Sequence, residues 1–337
     1  MYFLTMAARQ IRTKRLAFWL AVFCTFLAAG SNCLAAGLAS VSIPATATEP
    51  ALKAFIWSPC AQAGGELMQG PFTLPGVNNC DIAGKKLPLV VISHGQGGSR
   101  FGHRDTAAAL ADAGFVVVSF NHPGDASDDQ SATNHIAVFE ARPQHVTRVI
   151  SYMLEQWTYR TTLDGRSVGV FGFSRGGYTA LALAGAVPSL SASSKRFCAS
   201  WSSVFEPLCW RVKLGNAQLA PKADARIKAI VAADPLNLFD DAGLRSTRIP
   251  VQLWASELGG AGVTLAHTQA IHAGLAQSPE WHVAKGAGHF VFLAPCPEAL
   301  RQELEEICED PKGVDRKALH TAMNKAVVAF FQKHLVN

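Results

Sequence analysis

Unbroken apolar runs and helically spaced ones alternate along this chain. Short runs of mainly Val, Ile, Leu, Ala and Phe fall at 51–57, 87–92, 115–120, 167–173, 227–233 and 249–255, with a shorter one at 281–284. Runs of this length, apolar at nearly every position, predict strands buried on both faces. Between them apolar residues recur every three or four positions, as at Val146, Val149, Ile150, Met153 and Leu154. That spacing predicts helices at 105–113, 143–157, 178–184, 267–276, 297–307 and 316–335. Strand and helix alternate, which implies a mainly parallel central sheet with helices on both faces, an α/β architecture. Two stretches break the rhythm. Residues 61–86, rich in Gly, Pro and Asn, read as a long loop. Residues 188–226 carry Trp201, Phe205 and Trp210 and read as a small cap-like insertion.

The first segment has another character. Arg9, Arg12, Lys14 and Arg15 precede an apolar run at 16–29, small residues follow, and no acidic residue appears before Glu49. This is the pattern of a secretory signal peptide, expected over residues 1–36, with 37–337 forming one folded domain. The apolar run is short for a bilayer span, so no stable transmembrane segment is expected once the leader is removed. The expected destination is the periplasm or the medium. Those basic residues supply four of the five net positive charges. The basic balance is therefore a targeting feature and gives no reason to expect a nucleic-acid partner.

Cysteine usage agrees with export. Beyond the leader stand Cys60, Cys80, Cys198, Cys209, Cys296 and Cys308, an even number in three sequence-local couples. An exported chain with this pattern is expected to form disulfides. Closing the shortest loops predicts Cys60–Cys80, Cys198–Cys209 and Cys296–Cys308. No C-x-x-C and no His/Cys cluster at zinc spacing occurs, so neither a metal nor a cofactor is expected.

One stretch concentrates the chemistry. The apolar run at 167–173 ends in Gly172-Phe173-Ser174-Arg175-Gly176, which fits G-x-S-x-G, and continues as the helix-favouring run 178–184. Strand, tight turn and helix in that order expose the serine hydroxyl on a strained backbone, as a nucleophile requires. In a parallel sheet the ligand crevice lies beyond the carboxyl ends of the strands. His94, Gln96, His122, Asp125, Ser174, Asp234, Glu257 and His289 all follow expected strand ends. Acyl transfer by serine needs a base, a group that orients the base, and N–H donors for the developing oxyanion. His289, in Gly286-Ala287-Gly288-His289 after the last strand, is the expected base. His94 reads as a residue that orders its loop. Asp234, at the tip of one strand, is favoured as the acid. Glu257, at the tip of the next, is the alternative. Backbone N–H groups of Gln96 and Arg175 are the expected oxyanion donors. Trp201, Phe205 and Trp210 would form an apolar substrate wall.

Three segments carry a resemblance. They are Pro88 through Gly98 with its His94-Gly95-Gln96-Gly97-Gly98 turn, Asn121-His122-Pro123-Gly124-Asp125, and Gly172 through Gly177. Together they resemble the exported dienelactone-hydrolase-like proteins and the platelet-activating-factor acetylhydrolases. The resemblance covers roughly residues 51–293. It implies an α/β-hydrolase fold, a Ser-acid-His order and an acid at the position of Asp234. Dienelactone hydrolases proper use cysteine where this chain has Ser174, so lactone specificity does not carry over. The expectation is an exported serine carboxylic-ester hydrolase acting on a small-molecule or lipid-like ester. Two readings compete with it: a peptidase or amidase on the same fold, and a non-catalytic binding protein that retains the fold.

Overall fold

The computed structural model describes residues 35–191 and 218–336. Ten strands form one sheet: β1 (Ala35–Ile43), β2 (Leu52–Cys60), β3 (Gly65–Gln69), β4 (Phe72–Asn78), β5 (Leu87–Ser93), β6 (Val116–Phe120), β7 (Leu163–Phe173), β8 (Ile227–Ala233), β9 (Val251–Ser256) and β10 (Glu280–Ala284). Their order across the sheet is β10-β9-β8-β7-β5-β6-β2-β1-β4-β3. From β6 to β10 every pairing is parallel, whereas β2 pairs antiparallel with both β6 and β1. The described helices are α1 (Arg104–Asp112), α2 (Val138–Glu155), α3 (Arg175–Leu183), α4 (Asp241–Leu244), α5 (Leu265–Gly274), α6 (Glu305–Cys308) and α7 (Arg316–Leu335).

Alternation within each strand divides the core in two. Leu89, Val91, Val168 and Val170 face a cluster completed by Val146, Val149 and Ile150 of α2 and Leu181 of α3. Val90, Ile92, Phe171 and Phe173 face the opposite cluster, with Ala107 and Leu110 of α1 and Met323, Val327 and Phe331 of α7. Helices thus cover both faces of the parallel part, and the near-continuous apolar runs follow from that double burial. Gly169 shows how close the layers come. A Cβ there would lie 2.6 Å from the Phe331 ring.

The structure corrects two local expectations. Residues 61–86 contain the hairpin β3–β4, which turns at Gly70 with φ +60°. Its strands are mostly exposed or half-buried, so they lack the apolar pattern by which strands are recognised. The expected helix at 297–307 is instead a 3-10 turn at Glu298–Leu300 and the short α6. The disulfide Cys296–Cys308 explains this, since its Cα atoms are 5.6 Å apart. A continuous helix over those twelve steps would separate them by about 18 Å. Cys60–Cys80 is also formed. Cys198, Cys209, Trp201, Phe205 and Trp210 lie outside the described residues. No helix among the described residues is long and apolar enough to cross a membrane.

Candidate active site

Ser174 stands between the last residue of β7 and the first of α3, with φ +56° and ψ −116°. A non-glycine residue in that region is strained and is held there by its surroundings. The holding contacts are visible. Ser174 N–H donates to Ala233 O at 2.9 Å, and its own carbonyl accepts from Leu236 N–H at 3.0 Å. The flanking glycines leave room for nothing larger. A Cβ on Gly176 would collide with the Ser93 carbonyl and one on Gly172 with the Gly176 carbonyl. On Gly177 it would lie 2.7 Å from Pro235 Cβ. The G-x-S-x-G-G spacing is therefore dictated by packing of the elbow against β5 and the end of β8.

Asp234 follows β8, the strand beside β7, and also has positive φ, +40°. Its carboxylate is fully buried. Oδ1 accepts from Ser256 N–H at 2.8 Å, Ser256 Oγ donates to Oδ2, and His289 Nδ1 donates to Oδ2 at 3.0 Å. His289 is held from the other side. Its N–H donates to Gly259 O at 2.8 Å, and its ring lies 4.6 Å from the ring of Phe173, the residue before Ser174. With Nδ1–H committed to a carboxylate, Nε2 is the nitrogen left to accept a proton. Ser256 is the one member of this cluster that sequence reading did not single out. A serine at a strand end carries no pattern of its own.

Glu257 is placed differently. Its carboxylate is exposed, pairs with Lys285 Nζ at 3.0 Å and accepts from Gly286 N–H at 2.8 Å. The Gly286 N–H and the Lys285 ammonium hold its pKa below the ordinary carboxylate value.

The turn after β5 lies against the elbow, for a Cβ on Gly95 would be 3.2 Å from Ser174 Cβ. Gln96 N–H donates in no backbone hydrogen bond among the described residues, and Arg175 is the first residue of α3. His94 is turned to its own loop. It is buried, its Nδ1–H donates to Gly95 O at 2.6 Å, and its Nε2 accepts from His122 N–H at 3.1 Å. Both ring nitrogens are spent on the loop. Burial, with the Arg142 guanidinium second, pushes the His94 pKa down to about 3, so the ring is neutral.

His122 and Asp125 are buried as well. Ser93 Oγ lies 2.9 Å from His122 Nε2, His122 Nδ1 lies 3.2 Å from His145 Nδ1, and His145 Nε2 lies 3.3 Å from Glu49 Oε2. A carboxylate only accepts, so His145 Nε2 is the donor there. His145 Nδ1 then accepts from His122 Nδ1–H, and His122 Nε2 accepts the Ser93 hydroxyl. Burial lowers His122 well below its ordinary pKa, and burial lowers His145 to about 4 against the pull of Glu49. Asp125 lies between two arginines, Arg142 and Arg175. A cavity of about 690 Å³ opens elsewhere, between residues 187–191, 218–220 and 240–246, at the root of the 188–226 insertion.

A family model described as the dienelactone hydrolase family matches residues 79–203. That stretch holds the Gly95 turn and the Ser174 elbow and ends before Asp234 and His289. No curated protein matches the chain in sequence. Among solved structures, a ferulic acid esterase from Streptomyces cinnamoneus superposes with a TM-score of 0.61 at 18% identity, over 91% of either chain. A dienelactone hydrolase from Anabaena variabilis gives 0.51 at 15% identity, over 89% of this chain and 99% of its own. At such identities the likeness is one of fold. The parallel sheet and the strand–elbow–helix at Ser174 form an α/β-hydrolase fold, and over residues 79–203 the chain is similar to the dienelactone hydrolase family.

Proposed function

We propose that this protein is an exported serine carboxylic-ester hydrolase that works through Ser174, His289 and Asp234. One observation carries the reading: a buried His289–Asp234 pair whose imidazole lies 4.6 Å from the ring of Phe173, the residue before a serine held on a strained elbow. Ser174 Oγ attacks the ester carbonyl while His289 Nε2 takes its proton. Asp234 accepts from Nδ1–H and stabilises the imidazolium. The N–H groups of Gln96 and Arg175 hold the tetrahedral oxyanion. The alcohol departs with the proton from His289, and water then releases the acid from the acyl-enzyme by the reverse sequence. Esterase and dienelactone hydrolase relatives in fold support carboxylic esters as the substrate class. Two disulfides support an oxidising compartment.

The test is hydrolysis of a short p-nitrophenyl ester by the purified protein. The wild type is expected to turn it over, with a serine-directed phosphonate labelling Ser174 alone. Ser174→Ala is expected to remain folded and lose both. Turnover surviving in that variant would end the serine reading.

A further inference from the structure

We infer that Asp125 is a positioning residue, which holds both oxyanion donors in place through two arginines. The inference rests on the serine-esterase reading above and adds to it the part that sets the oxyanion site. Asp125 is wholly buried and its two oxygens are shared. Oδ2 accepts from Arg142 Nη1 at 2.6 Å. Oδ1 accepts from Arg175 Nη1 at 3.1 Å and from the Thr133 hydroxyl. Each arginine then reaches one donor segment. Arg142, from α2, also donates through Nη2 to the carbonyl of His94, two residues before Gln96, and its Nε lies 3.4 Å from Thr179 Oγ1 on α3. Arg175 carries the other donor on its own backbone, and its Nη1 is tied further to Thr133 O at 2.7 Å. One carboxylate thereby couples the turn after β5 to the first residue of the elbow helix.

Stability alone does not account for this arrangement. Two guanidiniums and one carboxylate taken out of water cost several kcal/mol per ion, and apolar groups of the same volume often do as well. What apolar groups do not supply is a fixed distance between two peptide N–H groups. The interior is otherwise suited to that task. The His94 ring pins Gly95 O and the His122 N–H from a third direction, so the turn is tied at three points. Oxyanion stabilisation is sensitive to such fixing, because a donor displaced by about 1 Å loses about a hundredfold in rate.

The experiment cuts each arm and leaves the donors in place. Arg175→Gln keeps the backbone N–H and removes the Asp125 pair. Arg142→Lys keeps a buried cation beside Asp125 and loses the reach to His94 O. Three quantities are read: kcat and KM for a soluble ester, Ki for a trifluoromethyl ketone that forms a hemiketal oxyanion on Ser174, and thermal melting. For both variants kcat is expected to fall about 10- to 100-fold with KM within about threefold. Ki is expected to rise by the factor by which kcat/KM falls, since both report the oxyanion. Arg175→Lys is expected to recover most of the Arg175→Gln loss. If whichever variants fold lower the melting temperature yet keep wild-type kcat and Ki, the network is structural and the positioning role is overturned. A wild type that neither hydrolyses esters nor takes the phosphonate label sinks the esterase reading itself, and the positioning role with it.

Discussion

Two residues, Ser174 and Asp234, sit at positive φ on adjacent strand ends, and each is a place where an ordinary turn would have been cheaper. For Asp234 the strained turn puts both carboxylate oxygens within reach of Ser256 and His289. The identity of the acid can be decided at this scale. Asp234→Asn is expected to leave the fold intact and to lower kcat steeply, because an amide can hold the imidazole in the wrong tautomer. The corresponding change in a serine protease costs about 10⁴. Glu257→Gln, which touches only an exposed pair with Lys285 and one loop N–H, is expected to stay within about threefold of wild type. Saturating kinetics on the two variants gives the comparison, and the reverse ranking would move the acid to Glu257.

At the scale of elements, the elbow is a packing solution before it is a chemical one. Gly176→Ala places a methyl group against the Ser93 carbonyl at the end of β5. It is expected to destabilise the protein by about 3 kcal/mol and to lower activity with it, measured by urea titration beside ester turnover. Retention of full stability would mean that β5 and α3 can part at no cost. The disulfide Cys296–Cys308 pins a stretch with little regular structure of its own ahead of α7. Cys296→Ser/Cys308→Ser is expected to lose about 2–4 kcal/mol, and an unchanged midpoint would show that α7 holds the segment unaided. Elements such as β5, β7 and α7 were legible in the sequence because burial on both faces leaves an unbroken apolar run in a strand and burial on one face leaves a helical spacing. The β3–β4 hairpin was not, since exposed strands carry none. At the candidate site, Ser174 and His289 follow strand ends and could be named from order, whereas order alone left Asp234 and Glu257 both open as the acid. Ser256, Arg142 and the buried courses of His122 and Asp125 could not, although His94 was legible as a loop-ordering residue. Which way a polar side chain at a strand end turns depends on partners distant in sequence, here His145 for His122 and Arg175 for Asp125.

The whole molecule stores neutral histidines in its interior, and this sets how it meets acid. Burial pushes His94 down to about 3 and holds His103 and His145 at about 4. In the unfolded chain each titrates near 6.5. Between pH 6.5 and about 4 the unfolded chain therefore binds protons that the folded one refuses, and stability falls as pH falls. Each of the three contributes about 1.4 kcal/mol per pH unit across that window. Urea midpoints at pH 7, 6, 5 and 4 are expected to drop steadily, and a flat series would show these rings to be hydrated or charged in the native state. A last consequence lies in the way the sheet is closed. β1 is an interior strand: Ala36 through Ile43 pair with Pro59 through Leu52, while Gly37 and Leu38 also carry β4. Any protease that trims the amino terminus is thus measured against the sheet. A cut up to residue 36 spares both contacts with β4, and one even two residues later strips the support of the hairpin. If the proposed export removes a leader, Edman sequencing of the exported protein is expected to begin no later than Gly37, and the ladder of the sheet then sets how far trimming can go.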